Sequence, residues 1–241
     1  PRMIAVIVVG ISFAVSGALM QGVTNNPMAS PSVLGINAGA SFGLAVGMIL
    51  FPYLTLNGSI LFSFAGAALA TLFILALAKR VGGKATPVYL ALAGTAISAV
   101  FVAVTHMLVV YFQVAQELSF WTAGGISGIR MEQALLVLPW TIIGILIAMY
   151  VSKSVTLLSF GEEVAIGLGS NLNRVRVLSG LTVLILSGSA VALAGPIGFV
   201  GLVIPHITRK LVGIDYRLVI PFSALFGAVL VMIADVVARI I

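Results

Sequence analysis

The stretch Leu181-Thr182-Val183-Leu184-Ile185-Leu186-Ser187-Gly188-Ser189-Ala190-Val191-Ala192-Leu193-Ala194 decides how the rest of the chain is read. It carries no charge, and its apolar residues do not alternate with polar ones. A strand of a membrane barrel would alternate over segments of about 10 residues. A continuous apolar run instead fits a helix in hydrocarbon, where each backbone polar group must find its partner within its own segment. Comparable runs recur along the chain, each near the ~20 residues needed to cross about 30 Å of hydrocarbon.

Composition agrees. Of 241 residues, 61% are hydrophobic and only 7% charged, and the mean hydropathy is +1.25. So few charges cannot cover the surface of a water-soluble domain. The chain reads as a multi-pass membrane protein. With no cysteine, disulfide and thiol chemistry are excluded. The net charge of +6 fits basic cytoplasmic loops rather than nucleic-acid binding. Glycine and proline, at 26 and 9 residues, are abundant in the way that packed or broken membrane helices allow.

Apolar runs set against charges predict eight spans, at 3–20, 33–52, 59–78, 87–112, 133–151, 177–195, 197–212 and 219–241. The seventh is short and glycine-rich, so it is expected to be partly re-entrant. If the first span runs inward, the inside holds Lys79, Arg80, Lys84, Lys153, Arg174, Arg176, Arg209, Lys210 and Arg217. The outside keeps Arg2, Arg130 and Arg239. That asymmetry fixes the orientation by the positive-inside rule.

Between the fifth and sixth spans lies Phe160-Gly161-Glu162-Glu163-Val164-Ala165-Ile166-Gly167-Leu168-Gly169, followed by Asn171, Asn173, Arg174 and Arg176. The orientation places it in the cytoplasm. Glycines at both ends permit sharp turns around a short helix. Glu162 and Glu163 fall at its start, where the helix dipole favours anions. Spacing alone leaves two readings open, a solvated loop helix that caps itself or a handle for a soluble partner.

Gly195-Pro196-Ile197-Gly198-Phe199-Val200-Gly201-Leu202-Val203-Ile204-Pro205-His206 interrupts an apolar stretch with regularly spaced glycines flanked by prolines. Broken helices of this type line translocation paths. No Gly-Lys-Ser/Thr follows, so the stretch is not a phosphate-binding loop and the chain is not expected to hydrolyse ATP. Gly35, Gly39, Gly43 and Gly47 form a smooth ridge on the second span, suited to close helix packing. Asn25-Asn26-Pro27-Met28-Ala29-Ser30-Pro31 reads as a turn between two helices.

The outer loop holding Gln113, Gln116, Glu117, Trp121, Gly124, Gly125, Ser127, Gly128 and Arg130 is a candidate extracellular mouth. Trp121 and Trp140 read as interfacial anchors. Asp235 and Arg239, four apart near the end of the last span, read as an acid–base pair. His106 and His206 belong to no metal-ligand pattern, and Ser187 and Ser189 have no histidine beside them in sequence.

Taken in order, several stretches resemble the FecCD-type permeases, the membrane subunits of binding-protein-dependent ABC importers for iron–siderophores, haem and vitamin B12. They are Pro1-Arg2, the run Val15-Ser16-Gly17-Ala18-Leu19-Met20-Gln21-Gly22, Asn26-Pro27-Met28-Ala29-Ser30-Pro31, Leu34-Gly35-Ile36, Gly161-Glu162-Glu163-Val164-Ala165 and Leu168-Gly169. The longest runs from Val191 through Gly195-Pro196 and Gly198 to Pro205-His206, and Ala234-Asp235 with Ala238-Arg239 closes the set.

The resemblance implies an all-α polytopic membrane bundle of the type II (vitamin B12 importer-like) ABC importer permease, with about eight of the family's ten helices present. Residues 1–241 would form a single transmembrane permease domain lacking the family's first and last helices. Residues 160–173 would be its cytoplasmic coupling segment. By position, Gly161, Glu162, Glu163, Val164, Ala165, Leu168 and Gly169 would couple to an ATPase. Arg2 and Arg239 would dock a binding protein. Gly195, Pro196, Gly198, Gly201 and Pro205 would lie at the translocation path and gate.

The implied partners are a second permease subunit, identical or related, two cytoplasmic ATPase subunits, an extracytoplasmic substrate-binding protein and membrane lipid, with no nucleic acid. No cofactor is expected on this chain, ATP and magnesium belonging to the ATPase. The expected location is the bacterial cytoplasmic membrane. The expected function is import of a ferric siderophore or related iron chelate. Haem or cobalamin import is the alternative within the family, and an ion-coupled secondary transporter the alternative outside it.

Overall fold

The computed structural model describes residues 1–80, 87–122, 125–126 and 128–240. Lys84, Gly124 and Ser127 lie outside the described residues, as do the side chains of Lys79, Arg80 and Glu117. Among the described residues the chain is all helix and turn. The helices are α1 (Arg2–Thr24), α2 (Ile36–Leu50), α3 (Leu56–Arg80), α4 (Pro87–Phe112), α5 (Ala115–Thr122), α6 (Met131–Ser159), α7 (Glu162–Gly167), α8 (Leu172–Ala194), α9 (Val200–Val212) and α10 (Tyr216–Ile240). A single 3₁₀ turn, Pro31–Leu34, precedes α2.

Each expected span corresponds to a helix, and the short helices α5 and α7 occupy the loops between them. Six helices are long and apolar enough to cross a membrane, namely α1, α3, α4, α6, α8 and α10. The other two are shorter than a full crossing. At 1.5 Å per residue, the 15 residues of α2 reach about 22 Å and the 13 of α9 about 20 Å. The expected second span loses its first turn because Gly35 has φ +68, a left-handed conformation that ends the 3₁₀ turn before α2 begins.

The contacts gather into two compact units. The first comprises Pro1–Pro31, Gly128–Ser187 and Gly198–Ile241. Its centre is α1, whose most apolar window is 78% buried, with α6, α9 and α10 packed around it. Glycine permits this crowding. A Cβ at Gly17 would sink into the Gly201 carbonyl of α9, and one at Gly10 into the Gly227 carbonyl of α10. A Cβ at Gly22 would meet the Tyr216 ring at 2.6 Å. Close backbone approach through small residues is how membrane helices gain packing without a hydrophobic driving force. The hydroxyls of Ser12 and Thr141 pair at 3.2 Å between α1 and α6, so these buried polar groups have partners.

The second unit comprises Ser32–Ser127 and Gly188–Ile197. Here the glycine ridge packs α2 on α3. Gly39 and Gly43 face Gly66, and Gly47 faces the Phe62 ring. Gly35, the N-cap of α2, continues the ridge, since a Cβ there would meet the Ile74 side chain of α3 at 3.0 Å. Trp121 differs from its expected role at the membrane interface. The turn after α4 folds α5 onto α2, and the Trp121 ring packs against the buried cluster of Leu44, Ala45 and Leu118.

Gly17→Leu is expected to force α1 from α9, at the ~1–3 kcal/mol typical of overpacking. Thermal unfolding in detergent should show a lower midpoint for this variant. A midpoint equal to that of the parent would show that α1 and α9 do not touch there.

Candidate functional site

The segment from Phe160 to Gly169, expected in the cytoplasm, is a compact knob. Phe160 ends α6, and Gly161, at φ +117, turns the chain into α7. Gly169, at φ +81, turns it out again. The Ser170 N–H donates to the Ala165 carbonyl and the Gly169 N–H to the Ile166 carbonyl, each at 2.9 Å. That pairing is a Schellman motif, which meets the free carbonyls at the helix end and favours glycine at its left-handed position. A Cβ added at Gly161 or Gly169 would touch nothing within 4 Å, so backbone conformation rather than space selects glycine there. Asn171 then caps α8, its Oδ1 accepting from the Arg174 N–H at 3.0 Å.

Ala165 is the one side chain of α7 that is buried. Val164, Ile166 and Leu168 are 45%, 59% and 64% exposed and form an apolar patch. The two carboxylates differ. Glu162 accepts from Arg176 Nη2 at 2.5 Å, which ties α7 to α8. Glu163 is exposed and makes no ion pair among the described residues.

The broken stretch divides between the two units. Gly195, at φ +74, closes α8 in the second, with Pro196 after it. Gly198, Gly201 and Pro205 fall in the first. Pro205 sits inside α9 and has no N–H to give the Gly201 carbonyl four residues before it. Gln21 of α1, 3% exposed, supplies the missing donor. Its Nε2 donates to the Gly201 carbonyl at 3.2 Å and the Leu202 carbonyl at 3.1 Å. Its Oε1 accepts from Arg209 Nη2 at 2.6 Å, which fixes the orientation of the amide.

Sequence reasoning gave Gln21 no role. The signal was a lone amide in an apolar span together with a proline four residues after Gly201, since a buried amide requires partners.

Near the end of α10, the sequence pairs Asp235 with Arg239, and the structure corrects this. Asp235 accepts instead from Arg2, with Nε to Oδ1 at 2.9 Å, Nε to Oδ2 at 3.0 Å and Nη2 to Oδ1 at 2.6 Å. The antiparallel packing of α1 and α10 explains the exchange. Gly10 touches Gly227, and Arg2 and Asp235 lie equally far from them along the two helices. Arg239 is exposed and has no carboxylate partner among the described residues.

Between α9 and α10, Asp215 accepts from the Arg217 guanidinium at 3.2 Å and from the Arg217 backbone N–H at 3.0 Å. The Thr156 hydroxyl stands 3.3 Å from the same carboxylate. The Arg217 side chain, then its backbone N–H, holds the Asp215 carboxyl below its ordinary range.

Comparison with known proteins adds to this geometry. The family model described as the FecCD transport family matches residues 1–241. The iron(3+)-hydroxamate import system permease protein FhuB of Bacillus subtilis is 45% identical over 241 residues, covering 100% of this chain and 63% of that protein. The chain thus spans less than two thirds of that relative. The Fe(3+)-citrate import system permease protein YfmD of Bacillus subtilis is 44% identical, over 99% of this chain and 71% of that one. The ferric enterobactin permease protein FepD of Escherichia coli is 37% identical, over 100% of this chain and 72% of that one.

Among solved structures, an inward-facing ABC transporter assigned to the metal-chelate type superposes with TM-score 0.90 at 28% identity. The match covers 99% of this chain and 76% of that one.

Gln21→Leu strands the Gly201 carbonyl and is expected to cost ~1–3 kcal/mol. Pro205→Ala restores an N–H to that carbonyl, so the same substitution should cost less in a Pro205→Ala background. Unfolding of the four members of the cycle in detergent measures the difference, and equal costs would break the proposed link.

Asp215 titrates below its ordinary range in the folded chain, so its pairing stabilises above that range and is lost as pH falls through it. Asp215→Asn is therefore expected to flatten the acid side of the stability profile and leave its slope near neutrality unchanged. An acid limb identical to the parent's would rule the pairing out.

Proposed function

The chain belongs to the FecCD transport family, and on that premise we propose that it is the membrane-spanning permease subunit of a binding-protein-dependent ABC importer for a ferric siderophore or related iron chelate. It is a multi-pass protein of the cytoplasmic membrane. In this reading it pairs with a second permease subunit and carries no cofactor of its own. Separate ATPase subunits bind ATP and magnesium below it, and an extracytoplasmic binding protein delivers cargo from above.

Transport would proceed by alternating access. Closure of the ATPases moves the knob formed by Gly161, Glu162, Glu163, Val164, Ala165, Leu168 and Gly169. The bundle rocks, and a path near Gly195, Pro196, Gly198, Gly201 and Pro205 opens to the other side. Arg2 and Arg239 would meet acidic residues of the binding protein, Arg239 with a free guanidinium and Arg2 while shared with Asp235.

The observation that carries this reading is the knob itself. A helix of 6 residues that leaves Val164, Ile166 and Glu163 exposed is not built to serve this chain's own core. It fits insertion into a groove of a soluble partner, where apolar contacts supply affinity and the carboxylate fixes register. The iron chelates named for the relatives support the cargo class. A secondary transporter would want a carboxylate at mid-membrane. Here Glu117, Glu132, Glu162, Glu163, Asp215 and Asp235 all fall in loops, in short helices or near helix ends.

Glu163→Lys tests the knob without breaking the Glu162–Arg176 pair. ATP-driven uptake of a ferric hydroxamate by the reconstituted transporter should fall about tenfold or more, the equivalent of roughly 1.4 kcal/mol. ATP hydrolysis by the partner and membrane insertion should persist. Unchanged uptake would remove the knob from the coupling route.

A further inference from the structure

We infer that Phe199 is the apolar gate of the translocation path, and that Val203, His206 and Lys210 line the half of the path below it. The inference rests on the transport reading above and assigns side chains to it.

Phe199 is an anomaly on three counts. Its φ is +67 and its ψ −36, and the Val200 N–H donates back to the Gly198 carbonyl at 2.8 Å. That is a three-residue γ-turn of the rare, strained hand, which glycine adopts freely and a phenylalanine does not. Packing does not explain the ring, because it is 80% exposed. Nor does crowding next door, since a Cβ at Gly198 would touch nothing within 4 Å. A strained backbone that holds a large ring out of the core points to a task for the ring.

The depth of the turn limits what it faces. A Cβ on Gly201 would lie 2.7 Å from the Phe13 carbonyl and 3.4 Å from the Gly17 Cα. Phe13 is as far from Arg2 as from Thr24, about 16 Å from each end of α1. The turn at Gly198 and Phe199 is therefore near the middle of the membrane. Non-helical backbone at that depth is tolerated against protein or water but not against lipid.

The face below the ring separates water from a dry interface. At 100° per residue, Val203, His206 and Lys210 fall within one narrow stripe of α9, which begins directly after the turn at Phe199. Phe199, His206 and Lys210 are exposed, while Val200, Gly201, Ile204, Pro205 and Thr208 bury the opposite face. A histidine about 10 Å below mid-membrane on an exposed face belongs in a hydrated cavity, and Lys210, in the last turn of α9, stands at the mouth of it. An apolar ring at its closed end dewets the opening and seals it. The basic lining suits an anionic, oxygen-rich chelate.

The chain has no cysteine, so single-cysteine variants report cleanly. In the assembled transporter in inside-out vesicles, Val203→Cys and His206→Cys are expected to react with a charged, membrane-impermeant methanethiosulfonate. Failure to react, with copper-catalysed cross-linking between two permeases, would make the stripe a subunit contact and overturn the inference. Failure of both would make it lipid-facing and overturn it as well.

Phe199→Gly removes ring and strain together. It is expected to unfold no earlier than the parent, yet to leak a small polar solute several-fold faster, while Phe199→Leu restores the seal. An earlier unfolding midpoint without leak would mean that the ring is structural. If the unsubstituted transporter fails to import ferric chelate with ATP, the transport reading falls, and the labelling still decides whether the stripe is wet.

Discussion

Hydrocarbon offers no hydrogen bonds, so every carbonyl that a helix releases must be met by another part of the protein. The first unit is arranged around one such debt. Pro205 frees the Gly201 carbonyl, and Gln21 reaches across from α1 to meet it while Arg209 holds the amide in place. This is possible because the helices touch. Gly17 brings α1 against the backbone of α9, close enough for a glutamine side chain to span the gap. A larger residue at that position would separate the helices and leave both the amide and the carbonyl unpaired. The proline, the glycines and the glutamine are thus one device, and none of them makes sense alone.

The same logic distributes charge. Most charges among the described residues sit near helix ends or in loops, and the closest ion pairs tie neighbouring elements together. Arg2 with Asp235 joins the outer ends of α1 and α10. Arg176 with Glu162 joins α8 to the knob. The Arg176–Glu162 pair is exposed and adds little stability, so its use is in fixing direction rather than in holding the fold. Glu163 and Arg239, which make no ion pair among the described residues, lie at opposite ends of the first unit.

Much of this was legible in the sequence because hydropathy and helix length are local properties. The helices at the eight expected positions, the shortness of the seventh and the short helix after α6 all follow from residue spacing. The resemblance to a permease family pointed to the knob and the broken stretch before any coordinates. What escaped depends on which helices are neighbours. Asp235 looks like a partner for Arg239 until α10 is packed antiparallel to α1, and then Arg2 is nearer. Trp121 looks like an interface anchor until α5 folds onto α2. Gln21 and Phe199 were visible as letters, but a missing donor and a left-handed φ exist only once α9 is built.

The first unit also joins the two ends of the proposed mechanism through packed elements. α7 rests on α6, α6 packs on α1, and α1 carries both the backbone contact and the Gln21 bridge to α9. Between knob and gate every step is helix against helix, and α6 runs 29 residues as one helix, with Pro139 inside it. Stiff elements in close contact shift as bodies rather than bend, because packed interfaces do not deform continuously. A push on α7 therefore has few places to be absorbed before it reaches the turn at Phe199. That turn is a strained, non-helical point at the far end of the route. A fold of this design concentrates displacement where the backbone is least regular, which is also where a sealing ring would have to move.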